Sequence, residues 1–273
     1  MENIRQRIPT PYADLNTVLQ DLVDSIQKIV GSKFIGAYLQ GSFAVGDFDR
    51  HSDVDFIIVI QEELSDNEVE SLQVMHERIF HHDARWAQHL EGSYFPEAVL
   101  RNHTGLGRQV WYIDNGSRSL ERSDHCNTLL VRWVVREFGV TLAGPPPETV
   151  VDPISTAALR AEIKAYMYNW AEDIFNNPER YNNRFYQTYI VLNYCRALHD
   201  LINGYPGSKR AGAEWAKANL DPAWSDLIDR TWDGRPHPAI SVRQTADPVD
   251  FERTFAFVKY ILAQVDQMPD DEK

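Results

Sequence analysis

The sequence predicts an α+β chain in two parts: a small α/β domain over residues 1–150, then an all-α helical bundle over residues 151–273. Three observations predict it. Two apolar runs, "KFIGAYLQ" and "DVDFIIVI", read as strands set among amphipathic helices. The stretch "AGPPPETVVDP", Ala143 to Pro153, then breaks the pattern with four prolines and reads as a linker. Beyond it, helical spacing continues almost to the end of the chain.

In order, "YADLNTVLQDLVDSIQKIV" places Leu15, Val18, Leu19, Leu22, Val23 and Ile26 on one helical face. The two strands follow, separated by a loop. Ser65 with Glu68 three residues later forms a capping box, opening a helix that runs to about Phe80. "RWAQHLEGSYFP", rich in aromatic residues and ended by Pro96, predicts a third strand. Ser123 is placed to cap "DHCNTLLVRWVVREF", which Gly139 would end. After the linker, "ISTAALRAEIKAYMYNWAEDIF", "RFYQTYIVLNYCRALHDLI", "KRAGAEWAKANL", "AWSDLIDRTW" and "VDFERTFAFVKYILAQVDQM" predict the bundle helices. Trp215, Trp224 and Trp232 read as bundle core, and the tail "PDDEK" as frayed.

Composition narrows the class. With 43% hydrophobic and 25% charged residues, the chain is an ordinary soluble globular protein. No run of eighteen apolar residues predicts a membrane span, and the first residues lack the apolar core of a secretion signal. Cys126 and Cys195, far apart, argue against a disulfide framework or a structural zinc, which suits a reducing cytoplasm. A net charge of −13 argues against nucleic acid as the main partner. It suits a cationic small molecule and equally suits mere solubility.

The chemistry sits in "GSFAVGDFDRHSDVDFIIVI", Gly41 to Ile60. Residues two apart in a strand share a face, so Asp53 and Asp55 project together, roughly 6–7 Å apart at Cα. Two carboxylates so placed can share a hard divalent cation such as Mg²⁺; without one they would repel and raise each other's pKa. Gly41 and Ser42, directly after the first strand, allow backbone N–H groups and a hydroxyl to approach an anion. A phosphate-cradling turn beside a metal-binding carboxylate pair describes phosphoryl or nucleotidyl transfer. The histidines of "HERIFHHDARWAQH" straddle a helix end and a strand, and read as solvated surface rather than a metal cluster.

"GSFAVGDFDRHSDVDF" resembles the signature of the polymerase-β-type nucleotidyltransferase superfamily. Within it, the chain is similar to the bacterial aminoglycoside adenylyltransferases that modify streptomycin and spectinomycin. "HLEGSYFP" resembles the strand with that family's third carboxylate, at Glu91; "TLAGPPP" resembles its domain junction, and "YCRALHDLINGYPGSKRAGAEWA" its helical domain. The resemblance implies a polymerase-β-like mixed sheet with helices carrying the metal and ATP site, followed by a helical bundle contributing substrate and ATP-phosphate contacts. It implies Mg²⁺, with ATP as co-substrate, bound through Asp53 and Asp55. Glu91 would be the general base or a third metal ligand, a role also open to a carboxylate on a neighbouring strand by its placement alone. Gly41, Ser42, Ser52, Arg196, Ser208 and Lys209 would hold the phosphates. Family members that take streptomycin grip it with an aromatic residue near the junction and acidic residues in the helical domain; Trp111, Glu172 and Asp173 are the candidates here. The implied protein is a cytoplasmic monomer moving AMP to a hydroxyl of a small polar acceptor, an aminoglycoside or aminocyclitol. A protein or other metabolite hydroxyl as acceptor, and a nucleotide sensor without turnover, are the alternatives.

Overall fold

Strand alternation in "DVDFIIVI" decides how the first half of the chain folds. In β2 (Val54–Ile60), Val54, Phe56, Ile58 and Ile60 are buried in a core shared with helix α1 (Ala13–Val30) and helix α3 (Asp66–Phe80). Ile57 and Val59, on the opposite face, are buried as well, so β2 is a central strand covered on both sides. A computed structural model, describing residues 8–49, 52–235 and 241–268, shows β2 inside a six-stranded sheet of order β5-β4-β3-β2-β1-β6. The other strands are β1 (Phe34–Leu39), β3 (Leu90–Pro96), β4 (Val110–Ile113), β5 (Leu120–Ser123) and β6 (Val140–Ala143). β2 and β3 run parallel, joined by the crossover through α3, while the other pairings are antiparallel. The expected α+β class is what the structure has.

The first helices follow their sequence signals. Leu15, Val18, Leu19, Leu22, Val23, Ile26 and Val30 are the buried stripe of α1. Ser65 caps α3 through a complete capping box with Glu68. Between β1 and β2, Gly41–Val45 form a short helix, α2, ended by Gly46 in the left-handed region.

Three expectations are corrected. Ser123 ends strand β5; the helix α5 (Leu129–Phe138) is capped instead by Thr128, whose side chain accepts from Val131 N. "RWAQ" forms a 3₁₀ turn over Arg85–Gln88, so the third strand begins only at Leu90. His76 is not solvated: with Leu72, Met75 and Ile79 it forms the buried stripe of α3. A further short helix, α4 (Glu97–Leu100), follows β3.

The chain divides into two compact units, Met1–Pro153 and Ile154–Lys273. The second is helical: α6 (Thr156–Asn176), α7 (Arg184–Asn203), α8 (Lys209–Asn219), α9 (Ser225–Gly234) and α10 (Pro248–Asp266). Helix α7 is its centre, packing against α6, α8, α9 and α10. Trp215, Trp224 and Trp232 are half-buried rather than core. At Trp232 the reason is visible: the guanidinium groups of Arg210 and Arg235 lie over the ring, at 5.4 and 4.2 Å from its centre. The tail "PDDEK" falls outside the described residues. Among the described residues no helix is long and apolar enough to cross a membrane.

Candidate active site

Parallel pairing brings the carboxylates together. Asp55 on β2 stands directly opposite Glu91 on β3, and Asp53 precedes Asp55 by two residues. All three therefore project from one sheet face, at the ends where β2 and β3 both begin. Glu91 is 13% exposed in its side chain, and Asp53 and Asp55 are half-buried.

The Gly41–Ser42 turn lies against this pair. Gly41 has φ +60°, and a Cβ there would come within 2.0 Å of Asp55 Oδ2, so no side chain fits between backbone and carboxylate. Gln40 N donates to the Asp55 carbonyl at 2.9 Å, fixing the turn to the strand. Ser42 Oγ is buried without a hydrogen-bond partner among the described residues. A buried hydroxyl in that state costs stability unless something polar meets it, and an anionic ligand oxygen would do so. Ser52 closes the turn ahead of β2, its Oγ accepting from Asp49 N at 2.9 Å.

Asp53 and Glu91 have partners that sequence reasoning missed. Asn115, after β4, donates from Nδ2 to Asp53 Oδ1 at 2.5 Å, and its Oδ1 lies 3.3 Å from His89 Nδ1. The Tyr112 hydroxyl, on β4, lies 2.8 Å from Glu91 Oε1 and 3.0 Å from Asp114 Oδ1. His125 Nε2 stands 3.5 Å from the same Glu91 oxygen. Its hydrogen bond to Glu91 raises the His125 pKa against the opposing pull of burial. Burial, reinforced by Glu91, raises the Tyr112 phenol and pushes the neighbouring Cys126 thiol up to about 12. Both groups are therefore neutral at physiological pH.

Among the described residues, no three His, Cys, Asp or Glu side chains gather into a group able to hold a metal ion alone. Mg²⁺ does not demand such a cage: it is usually held by one or two carboxylates together with substrate phosphates and water. Asp53 and Asp55, hard oxygen donors beside the orphaned Ser42 hydroxyl, fit that pattern.

Trp111 is not part of this arrangement. It pairs with Tyr94, so alternation sends it to the opposite sheet face from Glu91 and Tyr112. There it packs against the core of α1 and α3, with the Arg122 guanidinium over its ring at 5.4 Å.

In the helical unit, Tyr189, Asn193 and Arg196 follow one stripe of α7 at i, i+4 and i+7. Arg196 Nη2 donates to Asn193 Oδ1 at 2.8 Å, and the Lys209 ammonium lies over the Tyr189 ring at 5.0 Å. A Cβ on Gly212 would be 2.5 Å from Arg196 Cα, so glycine lets α8 lie directly on α7. Arg196 and Lys209 thus share the α7–α8 seam. Ser208 is the N-cap of α8, its Oγ accepting from Ala211 N at 2.9 Å. Asp200, buried, anchors the preceding loop by accepting from Gly207 N at 2.7 Å and His199 Nδ1 at 2.8 Å.

Glu172 is exposed on α6. Asp173 is engaged locally: it accepts from the Tyr181 hydroxyl and from Asn177 Nδ2 at 2.7 Å, and pairs with Arg180 at 3.2 Å. The Tyr181 bond leads in lowering its pKa. This carboxylate closes the C-terminal end of α6.

Two family models match the chain. Residues 23–86, which include Gly41, Ser42, Asp53 and Asp55, match the nucleotidyltransferase domain. Residues 149–247, which include Arg196, Ser208 and Lys209, match the C-terminal domain of aminoglycoside adenylyltransferase. The chain is an aminoglycoside adenylyltransferase-like nucleotidyltransferase. The fold of this nucleotidyltransferase is shared with the spectinomycin adenyltransferase AAD(9) from Enterococcus faecialis, solved with ATP and spectinomycin. That likeness has a TM-score of 0.66 at 13% identity and covers 92% of this chain and 99% of the other. No curated protein sequence matches the chain.

Proposed function

We propose that this nucleotidyltransferase moves the adenylyl group of ATP to a hydroxyl of an aminoglycoside or aminocyclitol and releases pyrophosphate. The observation carrying this reading is the register of β2 on β3, which sets Asp53, Asp55 and Glu91 on one face beside the Gly41–Ser42 turn. The acceptor follows the C-terminal family model and the spectinomycin adenyltransferase, whose structure holds ATP and spectinomycin.

In the reaction the acceptor oxygen forms a bond to the α-phosphorus, the bond from that phosphorus to the bridging oxygen breaks, and pyrophosphate leaves. Glu91 takes the proton of the attacking hydroxyl. The Gly41–Ser42 turn, with Ser52, holds phosphate oxygens by backbone and hydroxyl donors. Bound through Asp53 and Asp55 together with phosphate oxygens, Mg²⁺ would supply neutralisation of the phosphate charge. The resemblance assigns Arg196 and Lys209 to phosphate binding, and Ser208 sets the first turn from which Lys209 extends. This assignment follows the resemblance and the shared α7–α8 seam. A net charge of −13 suits a polycationic acceptor.

The test is pyrophosphate release from ATP and Mg²⁺ over a panel of aminoglycosides, with Asp53→Ala as control. Release that requires streptomycin or spectinomycin and vanishes in the variant supports both chemistry and acceptor. Release with no drug active, but with AMP appearing on a protein or metabolite, moves the acceptor elsewhere. ATP binding without turnover on any acceptor overturns the transferase reading.

A further inference from the structure

We propose that Tyr112 and His125 are positioning residues for Glu91: they hold Oε1 and so leave Oε2 as the oxygen that receives the acceptor's proton. The proposal rests on the reading of Glu91 as the base and deepens it.

Both partners act on one oxygen. The Tyr112 hydroxyl lies 2.8 Å from Oε1 and His125 Nε2 lies 3.5 Å from it. Among the described residues, no hydrogen bond or ion pair reaches Oε2. The arms of this clamp come from different places. Tyr112 is on β4, two residues from the position opposite Glu91, and is 4% exposed. His125 comes from the loop between β5 and α5 and tilts over the Tyr112 ring, the centres 5.5 Å apart. A glutamate side chain has three rotatable bonds, and general-base catalysis needs its oxygen within hydrogen-bond reach of one proton. Fixing one oxygen from two directions removes most of that freedom without using the second oxygen. Asp114, also 3.0 Å from the tyrosine hydroxyl, competes for its single proton. Asp114→Asn should therefore leave Tyr112 donating to Glu91 and keep full kcat.

The test is steady-state kinetics with spectinomycin and streptomycin as acceptors, paired with ATP binding by calorimetry. Loss of one hydrogen bond to a charged group predicts kcat down roughly tenfold in Tyr112→Phe, with KM and Kd for ATP within about twofold of wild type. His125→Ala should lose about threefold in kcat, and His125→Gln, which keeps a donor, should recover most of it. In the Glu91→Gln background, Tyr112→Phe should cause no further loss; a merely structural role would make the two losses add. Full activity in Tyr112→Phe beside a crippled Glu91→Gln overturns the proposal and spares the base. Full activity in Glu91→Gln overturns the base itself.

A measurement independent of acceptor and turnover is the infrared carboxylate band of Glu91, identified as the band missing in Glu91→Gln. It should shift in Tyr112→Phe, and in His125→Ala should the first variant fold poorly. An unmoved band overturns the proposal.

Discussion

Tyr94 and Tyr112 lie on adjacent strands of one sheet, each with its hydroxyl in a histidine-containing group, and the two groups behave oppositely. Tyr94 faces the α1–α3 core, where its hydroxyl meets His76 Nε2 at 2.7 Å. Burial alone drives the His76 pKa down to about 3, so that ring is neutral, and burial raises Tyr94 as well. On the other face, the partner of Tyr112 is a carboxylate. Glu91 outweighs desolvation at His125 and turns the shift upward. The same residue types make a neutral structural pair where water and charge are excluded, and a charged cluster where a carboxylate is held. What distinguishes the two groups is Glu91, the carboxylate that Tyr112 and His125 both meet.

The largest break in this contrast should come from Asp55→Ala. Removing one of the two carboxylates placed to hold Mg²⁺ should lower kcat by roughly a thousandfold or more, a loss on the scale of a whole electrostatic element. Its melting temperature should hold, which differential scanning fluorimetry checks. Gly41→Ala comes next. It combines a left-handed backbone with a Cβ placed 2.0 Å from Asp55 Oδ2, so the carboxylate must move. Left-handed strain of about 1–3 kcal/mol should appear as a lowered urea midpoint, accompanied by loss of turnover.

The core side is tested by pH. The unfolded chain binds a proton at His76 below about pH 6.5, but the folded chain does so only near pH 3. Acid therefore favours the unfolded form across that window, and stability falls as pH drops from 6.5 toward 3. In His76→Gln this contribution vanishes: between pH 6.5 and 5 the variant should lose about 1.5 kcal/mol less than wild type in urea titrations. The smallest effect should be that of Trp111→Phe. Because Trp111 lies on the core face, kcat/KM should change by less than about threefold, with any deficit appearing in stability.

How much of this was legible follows from the range over which each signal acts. Asp53 and Asp55 could be placed on one face because strand periodicity is local. Glu91 entered by resemblance to a family strand, and its place opposite Asp55 needed the β2–β3 register. Tyr112, Asn115 and His125 carried no signal, since their contacts depend on how β3 pairs with β4 and how a distant loop folds back. Strands β4, β5 and β6, four residues each, are too short to show alternation. Ser123 was expected as the cap of α5, but the antiparallel pairing with β4 draws it into β5 and the helix starts later, at Thr128. His76 was readable after all: Leu72, Met75, His76 and Ile79 keep the 3–4 spacing of a buried helical stripe, which the density of nearby histidines obscured.

Parallel pairing of β2 and β3 has an engineering consequence. Both strands begin at the same edge of the sheet, while residues 61–89 travel down and back as a separate excursion. Lengthening or trimming that excursion at its exposed turns, as around Gln61 and Glu62, leaves the spacing of Asp53, Asp55 and Glu91 untouched, because ladder hydrogen bonds set it. A peptide tag or a circular-permutation break placed there should be borne without loss of turnover. A single residue inserted between Leu90 and Glu91, with Leu90 kept in register with Val54, would turn Glu91 to the wrong side of the sheet.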